Sequence, residues 1–243
     1  SASFVPSMMM ARWRRRPSRL APEEIYSSPA ETTFTSVGAA ETTAMKRWRD
    51  KYVIGLTGNI CAGKSEVCAQ LAELGAYHLD GDVVAHQIIA RGSREHTIIV
   101  AEFGVGILGE DGEIERGRLG EIVFADGDAL ARLEAIVHPA VGREIERMIS
   151  SADQSVVVLE AIKLLESGLG ADCDAIWVVT AEAEERQRRL IARDGLSAQA
   201  ARQRVEMQAP QQEKIKCAHV IIDNNASLCQ THVQVRRAWG KIK

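Results

Sequence analysis

The spacing of apolar residues divides the chain near position 48. Residues 1 to about 48 carry no hydrophobic periodicity and are rich in Ser, Thr, Ala and Pro, so they predict a disordered extension. At Tyr52 the texture changes. Tyr52, Val53, Ile54, Gly55 and Leu56 form an apolar run of buried-strand length that meets Thr57 and Gly58 at its end. A helix is predicted over 63–74, with Val67, Leu71 and Leu74 on one face and Gly75 placed to stop it. Four further strands are predicted at 77–79, 156–159, 175–179 and 219–222, separated by helical patterns long enough for crossovers. From about 83 to 149 the spacing is mainly helical, without a comparable strand. The pattern therefore predicts an α/β fold: a mostly parallel five-stranded sheet flanked by helices, with a helical lobe beside its ligand edge.

Composition narrows the class. With 46% hydrophobic and 26% charged residues, 243 residues can bury a core as one large domain carrying an inserted lobe. A net charge of -3 lacks the basic excess that phosphate-backbone binding asks for, so no nucleic-acid partner is expected. The five cysteines, at 61, 68, 173, 217 and 229, include no CxxC pair, which speaks for reduced thiols rather than a disulfide framework or zinc knuckle. No apolar run reaches the roughly 20 residues of a membrane span. The opening segment, with Arg12, Arg14, Arg15, Arg16 and Arg19, has the composition of an organelle transit peptide but no amphipathic stripe. It is read as an incidental extension, with Met45 as a candidate natural start and the cytoplasm as the expected compartment.

The chemistry begins at the first loop. Gly58, Asn59, Ile60, Cys61, Ala62, Gly63, Lys64 and Ser65 fit G-x-x-x-x-G-K-[ST] at every fixed position, between a predicted strand and a predicted helix. Gly58 and Gly63 let the backbone approach phosphates, and successive amides and the helix N-terminus supply partial positive charge. Lys64 adds a point charge on the β and γ phosphates, and Ser65 offers the oxygen donor that Mg²⁺ prefers. Gly58, Cys61, Ala62, Gly63, Lys64, Ser65 and the adjoining Glu66 are the candidate ATP contacts, and Ser65 is the candidate metal ligand.

This loop specifies a nucleoside triphosphate and leaves the phosphate acceptor open. At the end of the second predicted strand, Asp80 and Asp82 set two carboxylates at the sheet's carboxyl edge, where a base could take a hydroxyl proton. Asp-Gly is also turn chemistry. On the residues alone the acceptor stays open among a nucleoside, a nucleoside monophosphate and another small alcohol, and a reading of a different class stands beside these: a regulatory module that binds nucleotide without transfer.

Longer segments carry a resemblance. GLTGNICAGKS followed by HLDGDVVAH is similar to the opening of the dephospho-CoA kinase family. GEDGEIERGRLGEIVFADGDALARLEAIVHPAV resembles that family's substrate-lobe signature, and RLIARD and HVIIDNN resemble later motifs, over about 52–239 in all. The resemblance implies transfer of the γ-phosphate of ATP to the ribose 3′-hydroxyl of dephospho-CoA. It also implies a P-loop NTPase fold of three parts: sheet core, helical substrate lobe at about 83–149 and lid at about 183–205.

Carried onto this sequence, the resemblance makes Asp82 the general base with Asp80 behind it. Arg189 and Arg193 become lid guanidiniums over the phosphates, and Arg204 and Gln208 fall on the helix after the lid. Asn224 falls near the adenine edge, and Asp80, His86, Arg116 and His138 fall on the acceptor side. The chain departs from the family where an aspartate, a proline and a closing glutamate are usual: Glu160 and Glu166 flank Lys163, with no proline. A second Mg²⁺ ligand is therefore left unassigned. The expected enzyme needs ATP and Mg²⁺ and is a monomer or weak homo-oligomer.

Overall fold

The computed structural model describes residues 47–48 and 50–242. The disordered extension expected for the first 48 residues thus falls outside the described residues up to 46, and its boundary is corrected at the end. Trp48 is buried against the core, and Arg47 donates to Glu146 at 3.0 Å and pairs with Asp172. The packed chain has begun by Arg47.

Five strands form one sheet: β1 (Tyr52–Thr57), β2 (Tyr77–Asp80), β3 (Val156–Glu160), β4 (Ala175–Thr180) and β5 (Val220–Asp223). Their order is β2-β3-β1-β4-β5, and each neighbouring pair is parallel. Each strand runs one residue beyond its predicted end, and each added residue is polar: Thr57, Asp80, Glu160, Thr180 and Asp223. Hydrophobicity stops there because these positions form the sheet's carboxyl edge, where open α/β sheets bind ligands.

Strand alternation sorts the core into two layers. Ile54, Leu56, Val158, Trp177 and Val179 pack with Val67 and Leu71 of α1 (Lys64–Glu73) and with Val235 near the chain's end. Val53, Leu79, Val157, Leu159 and Val178 face the other way. They pack with Leu133, Val137, Val141 and Ile145 of a long helix over Gly127–Ser151. Each such fully buried Leu, Val or Ile contributes about 1.5–3 kcal/mol relative to exposure.

Four helices lie between β2 and β3: α2 (Gly81–Ile88), α3 (Arg94–Phe103), α4 (Arg116–Ala125) and α5, the helix over Gly127–Ser151. After β4 come α6 (Ala183–Asp194), α7 (Ala198–Glu206) and a single short turn, α8 (Gln211–Ile215); α9 (Leu228–Trp239) follows β5. Helices α6 and α7 share a small core of Leu190, Ala201 and Val205, against which Ile60 and Cys61 pack. The helix pair therefore rests on the loop after β1.

Candidate active site

The loop from Gly58 to Gly63 is shaped by what surrounds it. A Cβ at Gly58 would lie 2.5 Å from the carbonyl oxygen of Val179. Gly63 has φ +102°, and a Cβ there would fall 1.9 Å from Nδ2 of Asn224. Gly63→Ala combines a conformation that L residues avoid with this collision. It is expected to cost more than about 1 kcal/mol in stability and to remove measurable ATP binding in a nucleotide titration. Full ATP affinity in that variant would overturn the account of the loop.

The rest of the loop is pinned from outside. Arg189 donates at 3.3 Å to the carbonyls of both Cys61 and Ala62 and at 2.8 Å to that of Asn224, and its Nε reaches Glu185 at 2.7 Å. Asn224 donates from Nδ2 to Ala62 O and accepts from Thr231 at Oδ1, each at 2.8 Å. Gln208 accepts the Ile60 amide at 2.8 Å, and Asn59 donates to Ala209 O at 3.1 Å. Arg189 and Asn224 thus occupy the carbonyls of Cys61 and Ala62, acceptors that would otherwise repel an anion. Arg189 and Asn224, placed by sequence as nucleotide contacts, hold the loop in this arrangement.

Lys64 is only 8% exposed, and its Nζ reaches Gly58 O at 3.3 Å. Burial lowers its pKa, while the charges of Glu160 and Asp82 pull the other way. A desolvated ammonium with one long hydrogen bond is poorly compensated by itself and complements a polyphosphate. Ser65, on the same first turn, keeps an exposed side chain. ATP with Mg²⁺ therefore fits the groups present. Glu66 faces His232 instead, with Oε1 2.7 Å from Nε2.

The two carboxylates after β2 differ in environment. Asp80 caps α2: its Oδ1 accepts from the amides of Asp82 at 2.9 Å and Val83 at 3.0 Å. Asp82 is half-buried, and its Oδ2 accepts the Ile162 amide at 3.4 Å. Burial and the neighbouring Asp80 raise its pKa above the ordinary aspartate value, against the pull of that amide and of Lys64.

Beneath Ile162 stands a residue that sequence reasoning missed. Lys214 is 5% exposed and donates to Ile162 O, to Thr57 Oγ1 at 3.4 Å and to Glu166 Oε1 at 3.3 Å. It holds the segment that departs from the family pattern. Within that segment Lys163 is half-buried and its pKa is lowered by burial.

The structure gathers Lys64, Asp82 and Glu160 at the carboxyl edge. His86, His138 and Arg193 are placed elsewhere. His86 is exposed on α2, its pKa lowered by partial burial and by Arg116 at the start of α4. His138 is buried within α5. Arg193 is exposed at the end of α6 and bonded to Asp194 at 2.7 and 3.1 Å; Arg204 reaches the same carboxylate at 3.4 Å.

Comparison with known proteins gives this geometry its family. The model of the family described as dephospho-CoA kinase matches residues 52–230. The dephospho-CoA kinase of Symbiobacterium thermophilum is 45% identical over 190 residues, covering 77% of this chain and 80% of that protein. That of Geobacter sulfurreducens is 42% identical over 192 residues, covering 78% and 98%. Among solved structures, TT1252 from Thermus thermophilus is similar with TM-score 0.69 and 34% identity, covering 79% of this chain and 98% of that one. The dephospho-CoA kinase from Campylobacter jejuni is similar with TM-score 0.58 and 28% identity, covering 79% and 97%. The chain belongs to the dephospho-CoA kinase family, enzymes that phosphorylate dephospho-CoA to coenzyme A with ATP.

Proposed function

We propose that Asp82 is the general base of this reaction and that the loop over 58–65 presents the γ-phosphate of ATP to it. Asp82 takes the proton of the ribose 3′-hydroxyl of dephospho-CoA as that oxygen bonds to phosphorus, and the bond to the β-γ bridging oxygen breaks to release ADP. The observation that carries this reading is a half-buried carboxylate, raised in pKa, set at the sheet edge with the ammonium of Lys64 beside it. Lys64 and the loop amides neutralise charge on the transferred group. Ser65 would hold Mg²⁺, which when bound supplies further neutralisation of the phosphates.

The helices between β2 and β3, about 83–149, serve in this reading as the acceptor lobe, with His86 and Arg116 on the acceptor side and His138 shaping the wall from within α5. Helices α6 and α7, about 183–205, serve as the lid. Because they rest on the loop through Ile60 and Cys61, their closure could bring Arg193 from Asp194 to the phosphates and exclude water. No helix among the described residues is long and apolar enough to cross a membrane. The reading has a cytoplasmic enzyme, monomeric or weakly self-associating, that uses no nucleic acid.

The test is ADP release by the purified protein with MgATP, comparing dephospho-CoA, adenosine, AMP and CMP as acceptors, with products identified by mass. Phosphate added to dephospho-CoA alone is expected. Transfer chiefly to another acceptor would replace the substrate assignment, and ATP binding without transfer to any of the four would sink the catalytic one.

A further inference from the structure

Three side chains to which the proposed mechanism gives no step meet where helix α1 covers strands β2 and β3, one of them, Glu160, reaching the edge of the reaction site. Cys68 lies one turn after Lys64 on α1, His78 is on β2, and Glu160 ends β3. Alternation along the strands brings them together. Leu79 and Leu159 point into the layer beneath the lobe, so their neighbours His78 and Glu160 face the side that α1 covers, where Cys68 packs.

Oε2 of Glu160 accepts from the Cys68 thiol at 3.2 Å and lies 3.0 Å from Nε2 of His78, and the three ligand atoms all lie within 4.8 Å of one another. As they stand, the thiol and imidazole satisfy a buried carboxylate. The same three atoms are also a sulfur, nitrogen and oxygen donor set. In a tetrahedral zinc centre, bonds of about 2.3 Å to sulfur and about 2.0–2.2 Å to nitrogen and oxygen set neighbouring donors roughly 3.2–3.7 Å apart. Two edges of that triangle are already near this size, and the third, within 4.8 Å, is left for side-chain rotation to close.

The donors also select the ion. Mg²⁺ demands oxygen ligands in octahedral array and keeps its waters, so this set would not hold the nucleotide's metal. Thiolate and imidazole suit Zn²⁺ and its late first-row neighbours. His78 is exposed while Cys68 and Glu160 are buried, which gives a route in from solvent and leaves a fourth position for water.

We propose that Cys68, His78 and Glu160 form a site for a thiophilic divalent cation of the zinc class, separate from the Mg²⁺–ATP site, that clamps α1 to β2 and β3. On binding, the Cys68 thiol releases its proton to solvent, His78 ligates through neutral Nε2, and Glu160 exchanges its two hydrogen-bond donors for the cation. The clamp joins the helix that carries Lys64 to the two strands that end in Asp80 and Glu160.

Cobalt reports on such a site without turnover. The full chain, stripped of metal with a chelator and free of nucleotide, is titrated with Co²⁺. About one equivalent is expected to produce a near-ultraviolet thiolate-to-cobalt charge-transfer band and intense visible bands of a tetrahedral centre, both bleached by Zn²⁺. Zn²⁺ alone should raise Tm.

The Cys217→Ser/Cys229→Ser double variant removes the two exposed thiols and should keep the bands. Cys68→Ala should lose them. His78→Ala, a change at an exposed edge-strand position, should also lose them with its fold intact, which covers the case where the buried Cys68 change perturbs folding. Absence of the charge-transfer band from the unaltered chain, or its persistence in His78→Ala, would overturn the proposal.

Discussion

Asp82→Asn is expected to lower kcat by about 10²–10⁴-fold, the range for removing a positioned base, and to leave ATP affinity nearly unchanged. The asymmetry follows from what Asp82 touches. Its carboxylate accepts a hydrogen bond from the Ile162 amide, outside the phosphate loop, and an asparagine carbonyl can accept the same amide. The pH dependence gives a second readout. Burial and Asp80 hold the Asp82 pKa above its ordinary value. Only the carboxylate can take the proton, so kcat/KM of the unaltered enzyme should fall with decreasing pH along a limb displaced above the usual aspartate range of about 3.9. That limb should be missing from the variant.

Stability should move oppositely to activity. A carboxyl whose folded pKa exceeds its unfolded one penalises the fold when ionised. The penalty is full above the folded pKa and disappears as pH falls below the unfolded one. Asp82→Asn should therefore melt somewhat above the unaltered chain at pH 7, with the gap closing toward pH 4. A variant with unaltered kcat and an unaltered acid limb would remove Asp82 from the chemistry.

How much of this could be read in the sequence depends on how far apart the interacting residues lie. The strand cores were legible because apolar residues, Val, Ile and Leu above all, form short runs of buried-strand length. Their final residues were not, since Thr57, Asp80, Glu160, Thr180 and Asp223 are polar and only backbone pairing extends the strands to them. The phosphate loop was legible because its requirements fall within eight consecutive residues. What braces it was not: Gln208 meets Ile60 across 148 residues, and Asn224 meets Ala62 across 162. Lys214 sits in a run, QQEKI, that reads as a solvated helical turn, and nothing local tells that its ammonium is buried under Ile162. Arg189 is instructive in a different way. Its family position suggested phosphate, whereas its guanidinium bonds loop carbonyls and so fixes the loop's backbone.

That dependence on shared groups sharpens the second large effect, expected from Lys64→Met. The substitution keeps most of the side-chain volume and removes the charge that the proposed mechanism sets against the phosphates, so kcat/KM for ATP should fall by about 10²–10⁴-fold. Unlike the change at Asp82, this one should weaken ATP binding as well, because an ammonium at the β and γ phosphates acts before and during transfer. The residual activity should carry a signature of the lost charge. Lys64 lowers the pKa of Asp82, and without it the base keeps its proton to higher pH. The acid limb of the variant should accordingly move up in pH, the opposite of what a merely loosened and more hydrated cleft would give. Combining Lys64→Met with Asp82→Asn should cost less than the sum of the two in kcat, since both groups serve one transition state and lie close enough to set each other's charge. Measuring pH–rate profiles for both single variants and kcat for the double variant tests the pairing. An acid limb that stays in place together with strictly additive losses would mean that Lys64 and Asp82 act independently, and the cleft would have to be redrawn with the base elsewhere.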